Sequence, residues 1–190
     1  MPRIQHTYIV DEFKHSLEMT REPNTSVAVP KVPAGYALRQ FDVSDSENYL
    51  DLIHSAWPPD EFSLESTIEC SLSGGFFVIE HVASGKIVAT AMTGQGPPRV
   101  VRNSGRIWLG WVVTDSEHTR LGLGRIVVAS AINRLVRHGR PQMFIGSEDE
   151  RLVAIALYLD LGWRPLMWAS CMPARWSSIY EKLRRSPDYS

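Results

Sequence analysis

The stretch Arg106-Ile-Trp-Leu-Gly-Trp-Val-Val-Thr-Asp-Ser-Glu-His-Thr-Arg-Leu-Gly-Leu-Gly-Arg125 carries the fold in outline. Its first part is apolar on both sides: Ile107, Leu109, Trp111 and Val113 alternate with Trp108 and Val112. Such a run predicts a central strand over Arg106–Val113, buried on both faces. A polar loop comes next, Thr114–Leu121, and then a helix over Gly122–His138. That helix sets Val128, Ile132, Leu135 and Val136 along one side. Gly139 and Pro141 are its stop signals.

Gly122 and Gly124 stand where the loop enters the helix. Glycine lets backbone approach an anion closely with several N–H groups turned inward. The helix N-terminus adds free donors and a partial positive charge. A pyrophosphate is the natural guest, with Arg120 and Arg125 adding charge from the sides. The same Gly-x-Gly also serves as a plain strand-to-helix turn, and this segment alone leaves both readings open. A P-loop would need Lys-Ser/Thr where Arg125-Ile126 stands. The dinucleotide fingerprint would need a small residue at Val127.

Working outward, Gln142–Ile145 reads as a short strand and Arg151–Leu161 as a helix stopped by Gly162. Pro165–Met172 reads as a further strand, Pro173 as a break, and Trp176–Leu183 as a last helix. Upstream, Tyr36–Phe41 alternates as a strand. Asp42–Ser46 offers helix caps, and Glu47–Trp57 is a helix ended by Pro58 and Pro59. Ser63–Leu72 is a second short helix, with Gly74-Gly75 breaking the chain after it. Phe76–Glu80 and Ile87–Met92, joined by the turn Ala83–Lys86, predict a β-hairpin. A loop, Gly94–Ser104, carries Pro97 and Pro98. Residues 1–34 read as an N-terminal arm and linker with one short strand at Tyr8–Val10, and residues 35–190 as the domain. This order predicts an α/β (α+β) fold, a mixed sheet with helices on both faces.

The composition suits one globular domain. The chain has 190 residues, 44% hydrophobic and 22% charged. Its 20 basic and 21 acidic side chains leave a net charge of −1, which argues against a nucleic-acid binder. The two cysteines, Cys70 and Cys171, lie far apart, and the six histidines show no metal-ligand spacing, so no metal is expected. No apolar run approaches the roughly 20 residues that cross a bilayer. The start of the chain does not resemble a signal peptide. A cytoplasmic protein without membrane association is the expectation, and a homodimer is compatible with it.

Glu148-Asp-Glu-Arg-Leu-Val-Ala-Ile-Ala-Leu-Tyr-Leu-Asp-Leu-Gly-Trp163 adds a second constellation. Leu152, Ile155, Ala156 and Leu159 form a core stripe. Arg151, Ala154 and Tyr158 share a neighbouring face and fit the wall of a ligand cleft. Arg151 would meet an anion, Ala154 gives room, and Tyr158 presents a hydroxyl. Taken alone, Tyr158 reads more readily as a partly buried tyrosine whose O–H finds a backbone partner.

Together the two segments resemble the GCN5-related N-acetyltransferase (GNAT) family over roughly Gly35–Met172. Its loop reads Gln/Arg-x-x-Gly-x-Gly/Ala, and its later helix carries Ala-x-x-Leu-Tyr-x-x-x-Gly-Phe. Here the latter reads Ala154-Ile-Ala-Leu-Tyr158-Leu-Asp-Leu-Gly162-Trp163. The resemblance implies a GNAT-like, mostly antiparallel sheet and acetyl-CoA as co-substrate. Backbone groups of Val112 and Val113 would meet the pantetheine arm. Amides of Leu121, Gly122, Leu123, Gly124 and Arg125 would hold the pyrophosphate. Tyr158 would protonate the departing thiolate. The family's Gln/Arg falls on Thr119, with Arg120 one residue later, and Arg151 stands where the family often has Asn.

The resemblance further implies direct transfer of an acetyl group to a primary amine of a small molecule, with no enzyme nucleophile. A backbone N–H near Val112–Val113 would polarise the carbonyl. Glu148 and Asp149 are candidate bases, with Glu80 and a water chain as alternatives. By the same analogy the acceptor site draws on the first helices, the Gly94–Ser104 loop and the C-terminal region, which offer Trp57, Phe62, Trp168 and Trp176. Two rivals remain: a non-catalytic acyl-CoA sensor on this fold, and an interaction protein whose Gly-x-Gly is only a turn.

Overall fold

A computed structural model describes residues 16–22, 25–96, 106–137 and 142–187. The strand expected at Tyr8–Val10, most of the Gly94–Ser104 loop, and Gly139 and Pro141 lie outside them.

Among the described residues, seven strands form one sheet: β1 (Leu17–Arg21), β2 (Tyr36–Gln40), β3 (Ser71–His81), β4 (Lys86–Gln95), β5 (Ile107–Thr114), β6 (Met143–Ser147) and β7 (Arg164–Pro165). Their spatial order is β2-β3-β4-β5-β6-β1-β7. All neighbours are antiparallel except β5 and β6. The helices are α1 (Ser46–His54), α2 (Leu64–Cys70), α3 (Leu123–Arg137), α4 (Leu152–Asp160) and α5 (Met172–Leu183). The entry to α1 is a capping box, in which Asp42 accepts from the Ser44 amide and donates its own N–H to Asp45. This satisfies donors that the helix start would otherwise leave open.

Two cores flank the sheet. The larger gathers Leu109, Val128, Ile132 and Leu135 with Ile155, Trp163 and Trp176. It holds the α3, α4 and α5 side. The smaller joins Tyr49 and Ile53 of α1 to Phe76, Met92 and Trp108.

Several elements depart from the sequence expectations. The reading of residues 1–34 as arm and linker overlooked Leu17–Arg21, which is an interior strand between β6 and β7. Leu17 and Met19 are fully buried, but their short run is flanked by polar residues and carried little periodic signal. Gly74-Gly75 does not break the chain; β3 runs through it with an irregular register between Ser71 and Phe76. The strand expected over Pro165–Met172 shrinks to Arg164–Pro165. Pro173 lies in the first turn of α5, where its missing N–H costs nothing.

The strict alternation expected in β5 is broken as well. Thr90 pairs with Val113 and Met92 with Gly110, so β5 carries one extra residue, a β-bulge. Trp111 sits in it at φ 49°. The bulge swaps the parity of the residues after it, so Trp108, Trp111 and Val113 all face the α1 side. Val112 packs on the other core.

Candidate active site

The parallel pairing of β5 with β6 covers only Ile107 with Met143 and Trp108 with Phe144. Beyond these two steps the strands part, and the sheet opens into a gap. A strand edge in mid-sheet with unpaired polar groups is unusual unless something completes it. A cavity of about 260 Å³ occupies the gap, lined from β5 by Leu109, Gly110, Trp111 and Val112 and from β6 by Ile145 to Ser147.

The C-terminal end of β5 runs into the glycine loop. Arg120 and Gly122 both adopt left-handed backbone, φ 62° and 76°. This turns successive amides to one side, the geometry of an anion nest. No described residue accepts a hydrogen bond from the amides of Leu121 to Arg125. The first turn of α3 contains no acidic residue, and its opening amides have no partner within the helix. The loop thus fits a diphosphate. Arg125 lies near Asp160 at 3.8 Å, and Arg120 is exposed. Thr119, at the family's Gln/Arg position, bonds the Ser116 carbonyl instead (3.3 Å). Leu123 is buried in the core, so only its amide is available to a ligand.

Arg151, Ala154 and Tyr158 line the cavity together. Tyr158 is 5% exposed, and no described residue is hydrogen-bonded to its hydroxyl. Burial pushes its pKa up, and the charge of Arg151 offsets this only in part. The phenol therefore keeps its proton well into the alkaline range and is a donor. Arg151 bonds Glu148 through Nε (3.2 Å) and lies 4.6 Å over the ring of Trp57.

The structure separates the candidate bases. Glu148 lines the cavity; Asp149 is instead paired with Arg175, and Glu80 with Arg39. Val113 is buried against α1, so of the two valines only Val112 lines the gap. Trp57 lines the cavity and Phe62 packs behind Trp111 (4.7 Å), whereas Trp176 is wholly buried in the core. Glu18, Arg106 and Phe144 also line the cavity. The sequence reading missed Glu18 because β1 was missed. The seat of Trp108, another lining residue, depends on Gly94, where a Cβ would stand 2.3 Å from the indole.

A search of curated protein sequences found no match. A GCN5-related N-acetyltransferase from Sphaerobacter thermophilus superposes with a TM-score of 0.62 at 19% identity, over 80% of this chain and 48% of that one. One from Kribbella flavida gives 0.53 at 21%, over 79% and 54%. A GNAT-family acetyltransferase from Staphylococcus aureus Mu50 gives 0.58 at 16%, over 71% and 88%. The chain spans about half the length of the first two, and all three similarities speak to the fold. The sequence matches the Acetyltransferase (GNAT) family across residues 39–163, more than half of the chain. The chain therefore belongs to the GNAT acetyltransferase family.

Proposed function

We propose that the protein transfers an acetyl group from acetyl-CoA to the primary amine of a small molecule, by direct attack within a ternary complex. The observation that carries this reading is the opened sheet between β5 and β6, with the anion nest at one end and the Tyr158 hydroxyl on its wall.

Each part has a task. The amides from Leu121 to Arg125 hold the diphosphate. The free edge of β5 at Val112 hydrogen-bonds an extended, amide-bearing arm as a further strand would. A bound thioester supplies an activated acetyl carbon; the amine forms a C–N bond there as the C–S bond breaks. A β5 backbone N–H polarises the carbonyl oxygen. Tyr158 delivers the proton that the sulfur needs. Glu148, on the same cavity, or water receives the proton that the nitrogen loses.

Thermal unfolding with and without coenzyme A, then thiol release from acetyl-CoA with a panel of amines, tests the reading. Stabilisation by the ligand and turnover with at least one amine are expected. Stabilisation without turnover makes the chain an acyl-CoA-binding module. Neither effect removes acetyl-CoA altogether.

A further inference from the structure

We propose that the acceptor is an arylalkylamine, a flat apolar ring on a short chain whose ammonium is its single charge, and that Trp57, Trp111 and Phe144 select it. The inference rests on the acyl-transfer reading above and names the acceptor class of that site.

The first ground is the wall. Trp57, Trp111 and Phe144 all line the cavity. Trp111 is held rigidly: its backbone is in the left-handed bulge, and its ring meets Trp57 (5.4 Å) and Phe62 (4.7 Å) edge-on. Pre-set ring edges and faces favour a planar apolar guest. Trp57 and Trp111 belong to the α1-side core, and Phe144, which alternates along β6 with Met143 and Ile145 of the opposite core, faces the same way, whereas α3, which begins at the anion nest, packs on the other side. The acceptor and the diphosphate thus approach from different faces.

The second ground is charge. Among the described residues, two arginines and two glutamates line the cavity, and their formal charges cancel. Each guanidinium is already engaged by a carboxylate and laid on a ring. Arg106 bonds Glu18 (3.1 Å) above Phe144 (4.0 Å), and Arg151 bonds Glu148 (3.2 Å) above Trp57 (4.6 Å). An acceptor carboxylate or phosphate meets no unpaired cation among these residues. Among the described residues, the further ammonium groups of a polyamine or aminoglycoside meet a largely apolar wall whose carboxylates are already paired, which strips their water without replacing it.

The third ground is size. At about 260 Å³ the cavity lies at the small end of ligand sites. It must also hold the acetyl end of the donor and, along β5, the arm that carries it, which favours a small acceptor.

The experiment uses the full chain at saturating acetyl-CoA with 2-phenylethylamine, ethylamine, spermidine, kanamycin and a lysine peptide. In parallel, calorimetry measures 2-phenylethylamine binding to the coenzyme A-loaded protein. We expect kcat/KM for 2-phenylethylamine to exceed every other amine by roughly ten-fold or more, the scale of a well-fitted apolar contact. In Trp111→Ala and in the milder Trp57→Leu, the ratio of 2-phenylethylamine to ethylamine should fall several-fold. Binding of 2-phenylethylamine without turnover of any amine supports the aryl-amine pocket and removes acyl transfer. Best turnover with spermidine, kanamycin or the peptide overturns the inference and leaves acyl transfer standing. A ratio unchanged in both folded variants, or no binding of 2-phenylethylamine, also overturns it.

Discussion

Glu18 and Arg106 join hands across β6: the carboxylate of one and the guanidinium of the other meet at 3.1 Å, above the ring of Phe144 that lies between them. Both side chains are largely buried, 9% and 20% exposed. Removing one partner leaves the other charge poorly solvated. Glu18→Ala should therefore cost about 1–3 kcal/mol. Glu18→Met with Arg106→Met should restore most of that loss, because no charge is then stranded. Urea unfolding midpoints of the two variants check both statements.

Gly122 has φ 76° and open space around its Cβ position. Any side chain there fits sterically but strains the backbone by about 1–2 kcal/mol. Gly122→Ala should lower stability by about that amount. Gly122→Glu should weaken coenzyme A far more than Gly122→Ala does, since it adds a carboxylate to an anion site. Calorimetric titration of both variants separates strain from charge.

The hydroxyl of Tyr158 is bonded to no described residue, so Tyr158→Phe should leave stability nearly unchanged. If the hydroxyl serves as the acid, kcat should fall by about 10²–10⁴-fold. An unchanged kcat at saturating acetyl-CoA removes Tyr158 from the chemistry.

Stability should fall at alkaline pH. Burial raises the pKa values of Tyr49 and Tyr158 above the ordinary tyrosine value. In the unfolded chain both ionise near pH 10, whereas in the folded chain they stay protonated. Above about pH 10 the unfolded state therefore binds fewer protons, and the free energy of unfolding declines. The contribution is intact below that pH. Each tyrosine adds up to about 1.4 kcal/mol per pH unit, so Tyr158→Phe should flatten the decline. Unfolding midpoints between pH 8 and 11 measure it.

Much of this was legible in the chain itself. The doubly apolar run at Ile107–Val113 marked the middle of the sheet, and Gly122 marked the loop that turns its amides outward. The spacing of Arg151, Ala154 and Tyr158 marked one wall of the cavity. What escaped was set by tertiary contact. Leu17–Arg21 is too short to show a period and gains its identity only from neighbours far along the chain. The bulge at Trp111 reverses an alternation that local pattern would continue. The pairing of Asp149 with Arg175 belongs to the packing of α4 beside α5, and no spacing announces it.

The position of β1 also governs assembly. The Thr20 hydroxyl reaches the Met143 carbonyl across 123 residues of sequence. β1 is the first of the described strands along the chain, yet its two sheet neighbours, β6 and β7, are the last. The β3–β4 hairpin and its contacts with β5 can form from local sequence, while the β6 side of the cavity is completed only when β6 meets the distant β1. Late, long-range closure of this kind slows folding. It also leaves the unpaired edge of β6 exposed in the meantime, where a partly made chain is most prone to stick to another.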